Sequence, residues 1–123
     1  MEKEINYNLT MSEADLLESV IDLAHVFGWT VAHFRPARVM KNGIETWRTP
    51  VEADGKGFPD LVLARETPNG FADIIFAELK SERGKLTIEQ KMWLQLLGKN
   101  PAVRCFVWPP SNWLLGEIEK VLK

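Results

Sequence analysis

The chain has 123 residues and a mass of 14.1 kDa, the size of one domain and too small for two. Hydrophobic residues make up 46% and charged residues 26%, a balance that excludes collagen-like, mucin-like and largely disordered chains. With 15 Lys+Arg against 17 Asp+Glu, the net charge of −2 excludes a protein that coats nucleic acid by bulk positive charge. No apolar run approaches the ~20 residues that cross a bilayer, so no membrane association is expected. The opening stretch MEKEINYNLT lacks the apolar core of a secretory leader. Cys105 stands alone and makes no internal disulfide, which points to a reducing cytoplasm.

Residues 12–27 form an amphipathic helix on pattern: Leu16, Leu17, Val20, Ile21, Ala24 and Phe27 fall at helical spacing. Thr10 or Ser12 caps its start and Gly28 marks its end. Trp29–Phe34 is rich in β-formers and reads as a strand that stops at Pro36. Residues 37–57 have no sustained period and predict a long connector, or a short irregular hairpin around Asn42-Gly43. Leu61–Arg65 and Phe71–Leu79 are the two strands of a hairpin turned by Thr67-Pro68-Asn69-Gly70. A second amphipathic helix covers 87–97, with Thr87 as its cap and Gly98 as its stop. Val103–Trp108 is a last strand closed by Pro109-Pro110, and Ser111 caps a C-terminal helix over about 111–122. The order α-β-β-β-α-β-α predicts one α/β domain over 1–123, its core at about 12–108, with a mixed central sheet flanked by helices.

The chemistry-bearing stretch is Gly57-Phe58-Pro59-Asp60, followed by Glu78-Leu79-Lys80 at the end of the next strand. Residues two apart in a strand share a face, so Ala72, Ile74, Phe76, Glu78 and Lys80 project together from an apolar row. Antiparallel pairing of the hairpin brings Asp60 to the end that carries Glu78. Two acids and a lysine at the lip of an apolar sheet are costly unless they pair, bind metal or both. Such a set suits phosphodiester hydrolysis. Mg²⁺ takes oxygen ligands and keeps several waters, and Asp60, Glu78 and the backbone carbonyl of Leu79 are candidate ligands. Lys80 is placed to hold the attacking water or to stabilise transition-state oxygens.

Pro59-Asp60 with Glu78-Leu79-Lys80 resembles the PD-(D/E)XK nuclease motif. The runs Gly55-Lys56-Gly57-Phe58-Pro59-Asp60-Leu61, Ala77-Glu78-Leu79-Lys80-Ser81 and Thr87-Ile88-Glu89-Gln90, after a helix with Ser12-Glu13-Ala14-Asp15-Leu16, are similar to the VRR-NUC (virus-type replication-repair nuclease) family. The similarity runs in family order from about Ser12 to Trp108. It implies a restriction-endonuclease-like core and cleavage of DNA dependent on Mg²⁺ or Mn²⁺, leaving a 5′ phosphate. Small members resemble Holliday-junction resolvases, which implies a homodimer acting on branched DNA, with a nicking activity as the alternative. Asp60, Glu78 and Lys80 match the catalytic positions, Gln90 the helix glutamine, and Glu13 the first-helix carboxylate, a metal ligand directly or through water. Glu18 is the alternative to Glu13.

Each residue also has a plainer role open to it. Glu78 and Lys80 make a surface ion pair as readily as a site, and Asp60 after a proline opens turns. Thr10-x-x-Glu13 and Thr87-x-x-Gln90 both fit capping boxes. Arg35, Arg38, Lys41, Arg48 and Lys56 along the connector, with Lys85 beyond the second acidic strand, are candidate DNA phosphate contacts or simply solvated. His25 and His33 belong to no metal-ligand spacing and are expected to be structural. Trp47 is a candidate base or partner contact, and Cys105 an inert thiol. The competing readings are a non-catalytic DNA-binding module that retains the fold, and a phage or mobile-element accessory factor.

Overall fold

The structure is a computed structural model that describes residues 11–34, 37–48 and 52–123. Its elements are α1 (Glu13–Val26), β1 (Thr30–His33), β2 (Ala37–Lys41), β3 (Ile44–Arg48), β4 (Leu61–Glu66), β5 (Ala72–Leu79), α2 (Ile88–Leu97), β6 (Val103–Trp108), α3 (Pro110–Leu114) and α4 (Glu117–Leu122). Four strands form one sheet in the order β1-β4-β5-β6. β1 with β4 and β4 with β5 pair antiparallel, whereas β5 and β6 are parallel and are joined through α2. The sheet is therefore mixed and flanked by helices, as a restriction-endonuclease-like core requires.

One face of the sheet is fully dry. Leu61 and Leu63 of β4 and Ile75, Ala77 and Leu79 of β5 are buried against Leu16, Val20 and Ala24 of α1 and Ile118 and Leu122 of α4. The i, i+4, i+8 stripe of α1 faces this layer, as its period predicts. The Leu122 carbonyl at the end of α4 accepts from Trp29 Nε1 (2.8 Å) and from Arg65 Nη1 (3.0 Å), so the last turn is tied to β1 and β4. The opposite face is only half-covered. Phe58 sits at its centre with edge-on contacts to Phe34, Phe76 and Trp93 at 5.3, 5.9 and 5.0 Å. α2 turns Gln90, Trp93, Leu94 and Leu97 inward and leaves Ile88, Met92 and Leu96 exposed.

Several sequence expectations change in detail. The row Ile74, Phe76 and Glu78 does not lie in the main core; Ile75, Ala77 and Leu79 do, because two helices seal that side and α2 shields the other only in part. The connector contains a regular hairpin, β2–β3, with five residue pairs and a sheet of its own. Asn42 (φ 54°) and Gly43 (φ 74°) supply the two left-handed residues that a two-residue turn demands. Two strands therefore join the expected order. The C-terminal helix is broken at Leu115-Gly116, where Gly116 takes φ 76°, and gives α3 and α4. Ser111 does not cap it: Pro109 occupies that position, and the Ser111 N–H donates to Glu82 Oε2 (3.0 Å). Among the described residues no helix is long and apolar enough to cross a membrane.

Candidate active site

Strand register assembles the site. One step beyond the pair Leu61↔Ala77, the antiparallel ladder sets Asp60 across from Glu78, and directly opposed side chains leave the backbone about 5 Å apart. One step beyond His33↔Leu61, Phe34 falls opposite Asp60, and its N–H donates to the Asp60 carbonyl (2.9 Å). The Asp60 Oδ2 accepts from the Leu79 N–H (2.8 Å), a bond that crosses between strands and fixes the carboxylate. Lys80 continues the parallel ladder through its N–H to the Trp108 carbonyl (3.1 Å), which aims its side chain along the Glu78 face.

Glu78 is 3% exposed, the one charged residue in the buried set of the described chain. Its two oxygens differ. Oε1 accepts from Gln90 Nε2 (2.8 Å) and lies 4.0 Å from Lys80 Nζ. Oε2 is buried and accepts from no donor, while the carboxyl as a whole lies within hydrogen-bond range of the Asp60 carboxyl, so either a proton or a cation shared by the two acids would satisfy it. Burial, and next the neighbouring Asp60 carboxylate, push the Glu78 carboxyl up to about 8, against the opposing pull of Lys80. Asp60 is also raised, chiefly by burial, with the Leu79 N–H working the other way.

The third acid comes from α1. Ser12 caps that helix by accepting from the Asp15 N–H (3.0 Å), and Asp15 completes the box, so Glu13 is not spent on capping. Thr10, the other candidate cap, lies outside the described residues. Glu13 faces Asp60, Lys80 and the backbone at Ser81; burial and then the Asp60 charge raise its carboxyl. It lines a cavity of about 210 Å³ with Leu17, His33, Phe34, Asp60 and Leu79. Glu18 lines an adjoining hollow along α1 with Asp15 and Asp22, one that shares Ala14, Leu17 and His33 with the first but not Asp60. Of the two alternatives, Glu13 is the one that meets the acidic pair.

Gln90 fills both roles that its sequence position allows. Its Oε1 accepts from the Thr87 N–H (2.8 Å) and closes the capping box of α2, while its Nε2 donates to Glu78. A single amide thus has its oxygen and its nitrogen assigned, and a flip would break both bonds. The structure adds one residue that sequence spacing missed. His33 ends β1 beside Asp60, on the wall of the cavity, and its charge draws the Asp60 carboxyl down in part. Pairing β1 with β4 would have found it, since that register puts His33 next to the Asp60 position. His25, by contrast, is exposed on α1. Cys105 is half-buried in β6, and burial raises its thiol, in keeping with an inert group.

Of the basic residues, Lys56 is exposed and pairs with Glu89 at 3.3 Å, and Lys85 is exposed. Arg38, Lys41, Arg48 and Trp47 occupy positions in the β2–β3 ribbon, and Arg35 lies outside the described residues. Among the described residues no three His, Cys, Asp or Glu side chains converge as a ready-made metal cage. The donors present are instead two adjacent carboxylates, one with an orphaned oxygen, and a backbone carbonyl, with Glu13 across the cavity. That set fits a hard cation that keeps several of its own waters and needs only one or two carboxylates.

In comparison with known protein families, residues 29–107 match the VRR-NUC domain. The match spans β1 to β6 and so covers Asp60, Glu78, Lys80 and Gln90, whereas Glu13 precedes it. Neither the curated proteins nor the solved structures give a match to the chain.

Proposed function

The chain belongs to the VRR-NUC family of nucleases, and from that premise we propose that it is a Mg²⁺- or Mn²⁺-dependent endodeoxyribonuclease acting on branched DNA as a homodimer. The observation that carries this reading is the buried Glu78 with one oxygen unpartnered, next to Asp60 and within reach of Lys80. Asp60, Glu78 and the Leu79 carbonyl would hold the cation, and Glu13 would meet it through water. When bound, such an ion supplies Lewis acidity toward the phosphate and toward water. Lys80, half-buried beside Glu78, holds the attacking water or donates to a phosphate oxygen as negative charge builds there. Gln90 holds Glu78 Oε1 through its Nε2 and so keeps the carboxyl in one rotamer beside Asp60. Arg35, Arg38, Arg48 and Lys85 are proposed to contact the DNA backbone. Lys56 joins them, since an exposed ion pair such as its bond to Glu89 is easily exchanged for a phosphate. The homodimer supplies two centres related by a dyad, as paired cuts in two strands demand.

The reading is tested with a panel of four-way junction, flap, splayed duplex, plain duplex and single strand, each incubated with Mg²⁺, Mn²⁺ or EDTA. Cleavage in the metal ions, its loss in EDTA and its loss in Asp60→Ala are the expected results, with coordinated cuts across the junction. Cleavage that survives EDTA refutes the mechanism; DNA binding with no cleavage of any substrate returns the non-catalytic module. A paired comparison separates the two helix carboxylates. Glu13→Ala lowers the cleavage rate by about tenfold or more, as loss of a ligand acting through water should, and Glu18→Ala stays within about twofold of wild type. Equal losses in single-turnover rate would remove Glu13 from the site.

A further inference from the structure

The segment before Asp60 is pressed against the start of α2. Gly57 has φ +83°, and a Cβ added there would stand 2.6 Å from both the carbonyl carbon and the Cβ of Glu89 and 2.7 Å from the Gln90 nitrogen. Real Cβ atoms do not come so close, and two of the three atoms are backbone. Three further contacts fasten the same loop to the same helix: Trp93 Nε1 donates to the Asp54 carbonyl (3.1 Å), Lys56 pairs with Glu89 (3.3 Å), and the Phe58 ring meets the Trp93 ring edge-on. Gly57 thus abuts the Glu89–Gln90 peptide, and the Gln90 side chain carries the bond to Glu78.

We propose that Gly57 is a positioning residue: its bare backbone lets the first turn of α2 settle close enough for the Gln90 amide to grip Glu78. The loop acts as a strut of fixed length. A side chain at 57 has to open contacts of 2.6 and 2.7 Å to ordinary van der Waals distance, which lifts the helix start by roughly an ångström, and a shift of that size carries Gln90 Nε2, now 2.8 Å from Glu78 Oε1, out of hydrogen-bond range. The consequence for metal rests on the function proposed above; the consequence for Gln90 does not.

The test compares Gly57→Ala with Gly70→Ala. Gly70 has nearly the same backbone angle (φ +82°) but nothing within 4 Å of its added Cβ, so the two variants share the conformational strain and differ in the clash. In metal-free protein, the Gln90 side-chain amide protons, read by two-dimensional NMR, should sit away from free-amide positions in wild type and Gly70→Ala. In Gly57→Ala they should collapse to free-amide positions. An unmoved Gln90 amide in Gly57→Ala overturns the proposal. Mn²⁺ affinity by calorimetry gives the second arm: Gly57→Ala weakens it about tenfold or more, and in a Gln90→Ala background the same step costs less than about twofold. Effects that multiply across the two backgrounds overturn a role exerted through Gln90. Should Gly57→Ala not fold, Trp93→Phe removes the bond to Asp54 and trims the ring that meets Phe58, and it should show a smaller loss with the same dependence on Gln90. A wild type that binds no Mn²⁺ refutes the metal reading alone, and the amide resonances still decide for or against Gly57.

Discussion

Glu78→Gln is expected to abolish metal-dependent cleavage, by on the order of 10³-fold, while making the metal-free protein more heat-resistant at pH 8. The two effects have one cause. The carboxyl is almost wholly buried beside Asp60 and is raised to about 8, so ionising it within the folded chain is unfavourable. In the unfolded chain it ionises near its ordinary value of 4.5. A group raised by folding lends stability in full below that lower value and loses it as pH climbs to about 8. Glutamine has the same shape, still accepts from Gln90 Nε2, offers an N–H toward Asp60 and never ionises. Melting temperatures of the two metal-free proteins should therefore agree near pH 4.5 and diverge upward to pH 8, with the variant higher. A variant that melts lower than wild type throughout would mean that Glu78 is held in the fold by its charge, and the account of the site would fail.

The same carboxyl makes metal binding a proton-releasing reaction. At pH 7 Glu78 is mostly protonated, and a divalent cation displaces that proton. Mn²⁺ affinity should rise by about tenfold per pH unit between pH 6 and 8 and then level off, the slope expected when one ligand deprotonates on binding. Asp60 and Glu13, both raised, steepen the acid end of the profile. Calorimetry in two buffers of different ionisation enthalpy reads the released protons directly. A flat affinity with no buffer dependence would place the metal, if any, away from Glu78.

Much of the site is legible in the sequence because its parts are locally encoded. Asp60 and Glu78 are brought together by a hairpin whose turn, Thr67 to Gly70, is written in its residue types, and antiparallel register does the rest. Lys80 follows from strand alternation. Gln90 is readable as a cap, and its second duty follows from the inward line of Trp93, Leu94 and Leu97. Glu13 is ambiguous only while the capping residue is unknown; once Ser12 and Asp15 close the box, the glutamate is released for the cavity. His33 and Gly57 are hidden for a common reason. The pairing of β1 with β4 bridges the long connector, and the contact of Gly57 with Gln90 joins a loop to a helix beyond two strands. Nothing in either local pattern announces such partners. The choice of dry face on β5 escapes for another reason: alternation names two faces, and only the helices that arrive on each decide which is sealed.

That last feature divides β5 residue by residue. Ala77 and Leu79 point toward α1 and α4, and Glu78 between them points toward α2. Cohesion and chemistry thus occupy opposite sides of one ribbon, with Glu13 alone reaching round the end of the sheet. Sequence drift among the aliphatic contacts can retune robustness with little effect on the carboxylates. Conversely, the Asp54–Asp60 loop and the opening turn of α2 are fitted to each other, so a change of bulk on one side has to be met by a change on the other.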